Sequence, residues 1–279
     1  MPLPGVGIVS TVPDFGLANL APITAAIGHQ VVHDLGPAWG LAANVQAFET
    51  TAQVPADYGT LLVTESLSSA FFGLHKTKDK RFIGFVGFTP ESHQWAVFAS
   101  HEVIEMLLDP DGKRTAMGPH PTEVGQQVEY LVEPCDPIQD PAFAYTIDAI
   151  PVSNFCLPGY YALGNAGPAS FRPGLNAPFS IADGGYVTFR DPSTGQFFTT
   201  ERIGGALQTK SLGKVNPING SLRAGLDRLR PEQEGACTPA GKRFLHEARK
   251  QFALHRADQR KAAKRLHAEI RTVQHRKSR

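Results

Sequence analysis

His101-Glu102-Val103-Ile104-Glu105 contains the residues of this chain best suited to do chemistry. On a helix, His101 and Glu105 stand one turn apart on one face, where an imidazole and a carboxylate can hold one metal ion. Glu102 projects beside them. A carboxylate there can take a proton from a water that the metal has made acidic. The competing reading is an exposed i,i+4 hydrogen-bonded pair of the kind found on many helices.

Two ligands do not hold a catalytic ion; three protein ligands and an open position are usual. Glu133-Pro134-Cys135-Asp136 is the best source of the third, because it brings two carboxylates and a thiol together before Pro137. Either Glu133 or Asp136 can serve, and the same stretch can equally be a turn rich in acceptors. Asp109, His120 and Glu129 are secondary candidates. Cys135 and Cys156 offer soft ligands, but no CxxC spacing supports a structural zinc site. A His/Glu/carboxylate set suits Zn²⁺, and its hard oxygens make Mn²⁺, Mg²⁺ or Ca²⁺ competitive.

These residues need elements to position them. Residues 5–12 read as a short buried strand, and Leu20, Ile23, Ile27 and Val31 as a helix over 20–35 that Gly36-Pro37 ends. Residues 43–50 and 59–66 read as strands, and 81–89, aromatic and glycine-containing, as an edge strand able to receive an extended peptide. Residues 95–108 form the helix bearing His101, stopped by Asp109-Pro110-Asp111-Gly112. Further on, 186–190 and 196–201 flank Asp191-Pro192-Ser193-Thr194-Gly195 as a hairpin. Residues 204–235 read as loop and linker. Beyond Pro239, Leu245, Phe252, Leu266 and Val273 recur at multiples of seven, but Gln259 breaks the series.

Several ordered landmarks carry a resemblance. Ser100-His101-Glu102-Val103-Ile104-Glu105 with Asp109-Pro110 resembles the SHExxExxxDP core of a family of uncharacterised bacterial and phage proteins with a zincin-like, metalloprotease-like domain. The segments at 30–40 (QVVHDLGPAWG), 133–136, 152–158 (VSNFCLP) and 184–186 (GGY) are similar to further elements of that family, so the likeness spans about 5–205. A more distant similarity is to the plant phosphate-induced, exordium-like proteins. The resemblance implies an α+β, zincin-like fold: a mixed sheet, a backing helix and an active-site helix. It implies His101 and Glu105 on the metal, Glu102 as base, and Glu133 and Asp136 as remaining ligand and supporting partner. Asn154 stands where the pattern has an aspartate.

The expected organisation is a zincin-like domain over 1–160, a β-rich extension with the hairpin over 161–205, a Gly/Pro-rich linker over 206–240, and a basic helical or disordered tail over 241–279. The expected function is metal-dependent hydrolysis of a peptide or protein substrate. The alternative is an inactive zincin-like binding or structural protein, a component of a phage or other assembly.

Composition narrows the classes. With 42% hydrophobic residues in 279, the chain can bury a sizeable core. The N-terminus lacks a signal peptide pattern, and no apolar run approaches a membrane span, so a cytoplasmic or virion-associated protein is expected. Three cysteines argue against a disulfide framework. Residues 242–279 hold 13 Lys/Arg against 3 Asp/Glu, a surplus of +10, which leaves −9 for the rest of a chain of net charge +1. Such a tail can bind nucleic acid or another polyanion through Arg249, Lys250, Arg256, Arg260, Lys261, Lys264 and Arg265. A solvated helix explains it as well.

Overall fold

The computed structural model describes residues 3–65, 73–78, 81–88, 94–218 and 221–227, with scattered helical positions between 239 and 264. The polyanion-binding expectation for the tail therefore falls largely outside the described residues. The fold is mixed α+β, with two five-stranded sheets, one mainly parallel and one antiparallel, and few helices. Among the described residues no helix is long and apolar enough to cross a membrane.

The first sheet is built from β1 (Gly5–Ser10), β2 (Asn44–Phe48), β3 (Gly59–Thr64), β4 (Gly73–Lys78) and β5 (Arg81–Gly87), in the order β2-β1-β3-β5-β4. Four strands run parallel and β4 runs antiparallel to β5. In β3 the two-residue period of a strand sends Gly59, Leu61 and Val63 inward and leaves the alternate residues half-buried. The expected edge strand at 81–89 is a correction: β5 lies inside the sheet, and the edge is β4, which the sequence reading missed. Its residues, GLHKTK, carry no apolar alternation to announce a strand.

The expected helix over 20–35 begins earlier, at α1 (Leu17–His29), and widens into a π-helical stretch over Gln30–Leu35. Gly36-Pro37 does not end it. Pro37 lies in the first turn of a last helical segment, α2 (Gly36–Trp39), and left-handed Gly40 is the true stop. The widened stretch turns Gln30 toward the body of the protein. There its amide donates to the Ser153 carbonyl at 2.7 Å and to the Tyr145 hydroxyl at 3.0 Å, and that hydroxyl donates to Asp34.

The helix carrying His101 is α3 (Gln94–Leu108). It is buried nearly all round, as a helix enclosed by its own domain must be. Trp95, Ala96, Ala99, Val103, Ile104, Met106 and Leu107 share one core with α1 and the sheet. Ser100 accepts the Ser153 N–H at 2.7 Å and donates to Val97 O, pinning α3 to β9 (Ile150–Val152), which pairs with β8 (Tyr145–Ile147).

The second sheet orders β12-β11-β10-β7-β6, all antiparallel: β6 (Thr115–Pro119), β7 (Gln127–Leu131), β10 (Tyr186–Arg190), β11 (Phe197–Ile203) and β12 (Ala206–Gly213). It joins strands from either side of position 160. The hairpin at 186–201 forms as expected. The loop expected over 204–235 is corrected in part. Gly204-Gly205 is a tight turn with both φ positive, β12 follows it, and α4 (Leu222–Asp227) is helical.

Candidate metal centre

The i,i+4 spacing on α3 works as helical geometry demands: His101 Nε2 lies 3.1 Å from Glu105 Oε1. The same nitrogen lies 3.3 Å from Asp136 Oδ1. Asp136 comes from a short 3-10 turn, Asp136–Ile138, that follows β7. Backbone bonds from Cys156 N to Pro134 O and from Ala182 N to Pro137 O fix that turn. Gly185 lets the chain pass over it; a Cβ there would collide with the Pro137 carbonyl oxygen and stand 3.1 Å from Asp136 O. The GGY segment thus supports the strand of chain that carries Asp136.

Glu105, Glu133 and Asp136 each place an oxygen within 4.8 Å of the others, and His101, Glu105 and Cys135 do the same with their donor atoms. Of His101, Glu102, Glu105, Glu133 and Asp136, none is more than 4% exposed. The exposed-pair reading of His101 and Glu105 therefore does not describe this helix.

Such a cluster is electrostatically lopsided. Burial alone lowers the His101 pKa, but the Glu105 carboxylate and then Asp136 outweigh it and hold the imidazole well above 6.5. Burial and the Asp136 charge push Glu105 well above 4.5 against the pull of His101. Burial, then Glu105, pushes Cys135 well above 9, so without an ion it stands beside the cluster as a thiol.

The residue that sequence reasoning missed is Arg223, on α4. Its Nη1 lies 2.6 Å from Glu133 Oε1 and 3.8 Å from Glu105 Oε2, with the side chain 4% exposed. It lies far along the chain, in a stretch read as linker. The one local signal was Ser221, whose Oγ accepts the Ala224 N–H as a helix N-cap does.

The donor set fits a divalent ion on two counts. Imidazole Nε2 carries one proton at most and cannot aim it at two oxygens; both oxygens of Glu105 have ion-pair neighbours but no aligned hydrogen-bond donor. Ligands bonded at 2.0–2.2 Å around a tetrahedral ion stand about 3.3–3.6 Å apart, close to the 3.1 and 3.3 Å seen here. The formal charges agree as well. Exchanging the proton of His101 for a divalent ion adds one positive charge and so reduces the excess of the four carboxylates Glu102, Glu105, Glu133 and Asp136.

The structure does not bring the secondary candidates into this cluster. Asp109 accepts the N–H groups of Lys113 and Arg114 and stops α3. His120 Nδ1 accepts from Thr122 and Glu123 in a turn. Glu129 pairs with Arg190 across the second sheet, at 2.7 Å from its Nε. Asn154 accepts from Phe155 and Arg172 through Oδ1 and donates to Arg172 O through Nδ2. An aspartate there could not make the donation.

Compared with protein-family models, with curated proteins and with solved structures, the chain gives no match in any of the three.

Proposed function

We propose that this chain is a metal-dependent hydrolase of peptide bonds, with a zincin-like core. The observation that carries the reading is His101 Nε2 set between Glu105 Oε1 and Asp136 Oδ1 in a buried, carboxylate-rich cluster. His101, Glu105 and Asp136 are the ligands, with Zn²⁺ the first expectation and Mn²⁺ next, given two hard oxygens. The mixed sheet, with α1 packed behind and α3 carrying the motif, supports the zincin-like comparison. When bound, the ion supplies Lewis acidity and makes a water easier to deprotonate. Glu102, buried next to His101 in sequence and close enough for its charge to act on that imidazole, is the base that takes the proton. An extended peptide would add at β4, the antiparallel edge.

One observation favours a second reading, a zincin-like scaffold that binds without catalysis. The site residues are buried, and α4 lies against β4, where a peptide strand would add.

Elemental analysis and Glu102→Gln separate these. The hydrolase reading expects about one Zn²⁺ or Mn²⁺ per wild-type chain, none in His101→Ala, and peptide hydrolysis abolished in Glu102→Gln with the metal retained. A wild-type chain that takes up no divalent ion refutes both the site and the reaction. Metal uptake without hydrolysis that Glu102→Gln can abolish leaves the scaffold.

A further inference from the structure

Arg223 enters the cluster from an element with no other business there. We infer, resting on the metal-centre reading above, that Arg223 is a positioning residue that holds Glu133 off the ion, leaving His101, Glu105 and Asp136 as ligands and one coordination position open.

Glu133 is close enough to be a ligand. Its oxygen lies within 4.8 Å of those of Glu105 and Asp136, near enough for the three to share an ion. A fourth protein ligand is what separates closed, structural sites from catalytic ones, which keep a place for water. The guanidinium engages Glu133 at 2.6 Å and stays 3.8 Å from Glu105, so it discriminates between the two carboxylates. Arginine suits the task because it stays charged at any working pH, so its ion pair with Glu133 does not titrate away from the arginine side.

The surrounding chain is built to deliver it. Gly112, φ 68°, ends the loop after α3, and a Cβ there would lie 2.8 Å from Arg223 N. The N–H groups of Leu222 and Arg223 both donate to Asp111 O. Leu222 and Leu226 anchor α4 in a small core with Leu131, Phe197 and Leu212. The helix that carries His101 and Glu105 thus ends in the loop that seats Arg223. The fixed positive charge also offsets the cost of a carboxylate-rich ligand set, which weakens the ion as a Lewis acid and makes a bound water less acidic.

The test uses the full chain as wild type, Arg223→Gln, Glu133→Gln and the double variant. Zn²⁺ affinity is read by competition with a chromophoric chelator, and coordination by the visible spectrum of the Co²⁺ form with and without azide. Freed from Arg223, Glu133 should bind: Arg223→Gln should hold Zn²⁺ roughly tenfold or more tighter, with a Co²⁺ spectrum that no longer responds to azide. Glu133→Gln and the double variant should lie within about threefold of wild type and keep the azide response, since neither has a fourth protein ligand to offer. A merely structural arginine would change melting and leave both metal readouts alone, which overturns the inference. So does a loss of roughly tenfold or more in Zn²⁺ affinity in Glu133→Gln, because Glu133 would then be a wild-type ligand; this arm decides the matter if Arg223→Gln fails to fold. A wild type that binds neither ion defeats the metal centre itself, an outcome distinct from those two.

Discussion

Glu105→Gln and His101→Ala remove neighbours in one cluster, yet they should move the metal-free protein in opposite directions. Glu105 is fully buried, with Asp136 and Glu133 oxygens within 4.8 Å, and its pKa is pushed well above 4.5, first by burial and then by Asp136. The sign follows. A carboxyl whose folded pKa is raised stabilises the fold below its unfolded pKa, and that contribution is lost as pH rises through the folded value. At neutral pH the unfolded chain ionises this carboxyl freely, and its charge is costly only to the fold. Glutamine keeps the shape and removes that charge, and should stabilise the metal-free protein by about 1–3 kcal/mol, or roughly 2–12 °C in Tm. His101→Ala removes a cation lying 3.1 and 3.3 Å from two carboxylates. It should destabilise by about 3–5 kcal/mol, or roughly 6–20 °C. The assay is thermal melting with EDTA and then with Zn²⁺ at a hundredfold excess over Kd, which adds about 2.7 kcal/mol to a chain that binds it. Zn²⁺ should raise the wild-type Tm by roughly 5–11 °C and leave both variants unmoved. The advantage of Glu105→Gln should be absent well below pH 4.5, where both states are protonated, and grow as pH rises through and above that value. Equal losses in both variants with EDTA, and no response to Zn²⁺ in wild type, would refute the charge argument together with the metal centre.

Three further outcomes are expected. Asp109, pushed up to about 7 by burial and then by Glu133, opposes folding as pH rises from 3.8 toward 7; Asp109→Asn should flatten the fall in urea midpoint between pH 5 and 8, and an unchanged slope would contradict this. Gly185→Ala puts a methyl group against the Pro137 carbonyl and the turn bearing Asp136, so it should lower both stability and Zn²⁺ affinity; a drop in stability alone would uncouple that turn from the site. Asn154→Asp restores the residue of the resembling pattern but leaves the Arg172 carbonyl without its donor. It should cost about 1–3 kcal/mol by urea denaturation, and a neutral result would mean that the segment rearranges.

Much of the site was readable because its chemistry is local. His101 and Glu105 follow from helical spacing, and the Glu133–Asp136 turn from two carboxylates bracketed by prolines. What could not be read was the pairing of Glu133 with Arg223, brought in by packing of Leu222 and Leu226 far along the chain. Local patterns do not encode such contacts. The edge of the first sheet failed for a related reason. β5 has strong strand character, and only the pairing of the unpromising β4 against it shows which strand lies outside.

The same physics explains why the cluster argues for a bound ion. Burying three carboxylates around one imidazole and one guanidinium costs desolvation that the ion pairs do not recover, and apolar replacements of similar volume would be as stable or more so. The helix bearing His101 and Glu105 otherwise buries mainly apolar side chains, and Ser100, Gly185 and Gly112 hold the segments that bring the charged groups together. Elements from four separate parts of the chain therefore converge on an arrangement that the metal-free fold would be better without. On the proposed reading a divalent ion would reverse that balance: it would add positive charge where carboxylates are in excess, next to an imidazole nitrogen that lies 3.1 and 3.3 Å from two carboxylate oxygens.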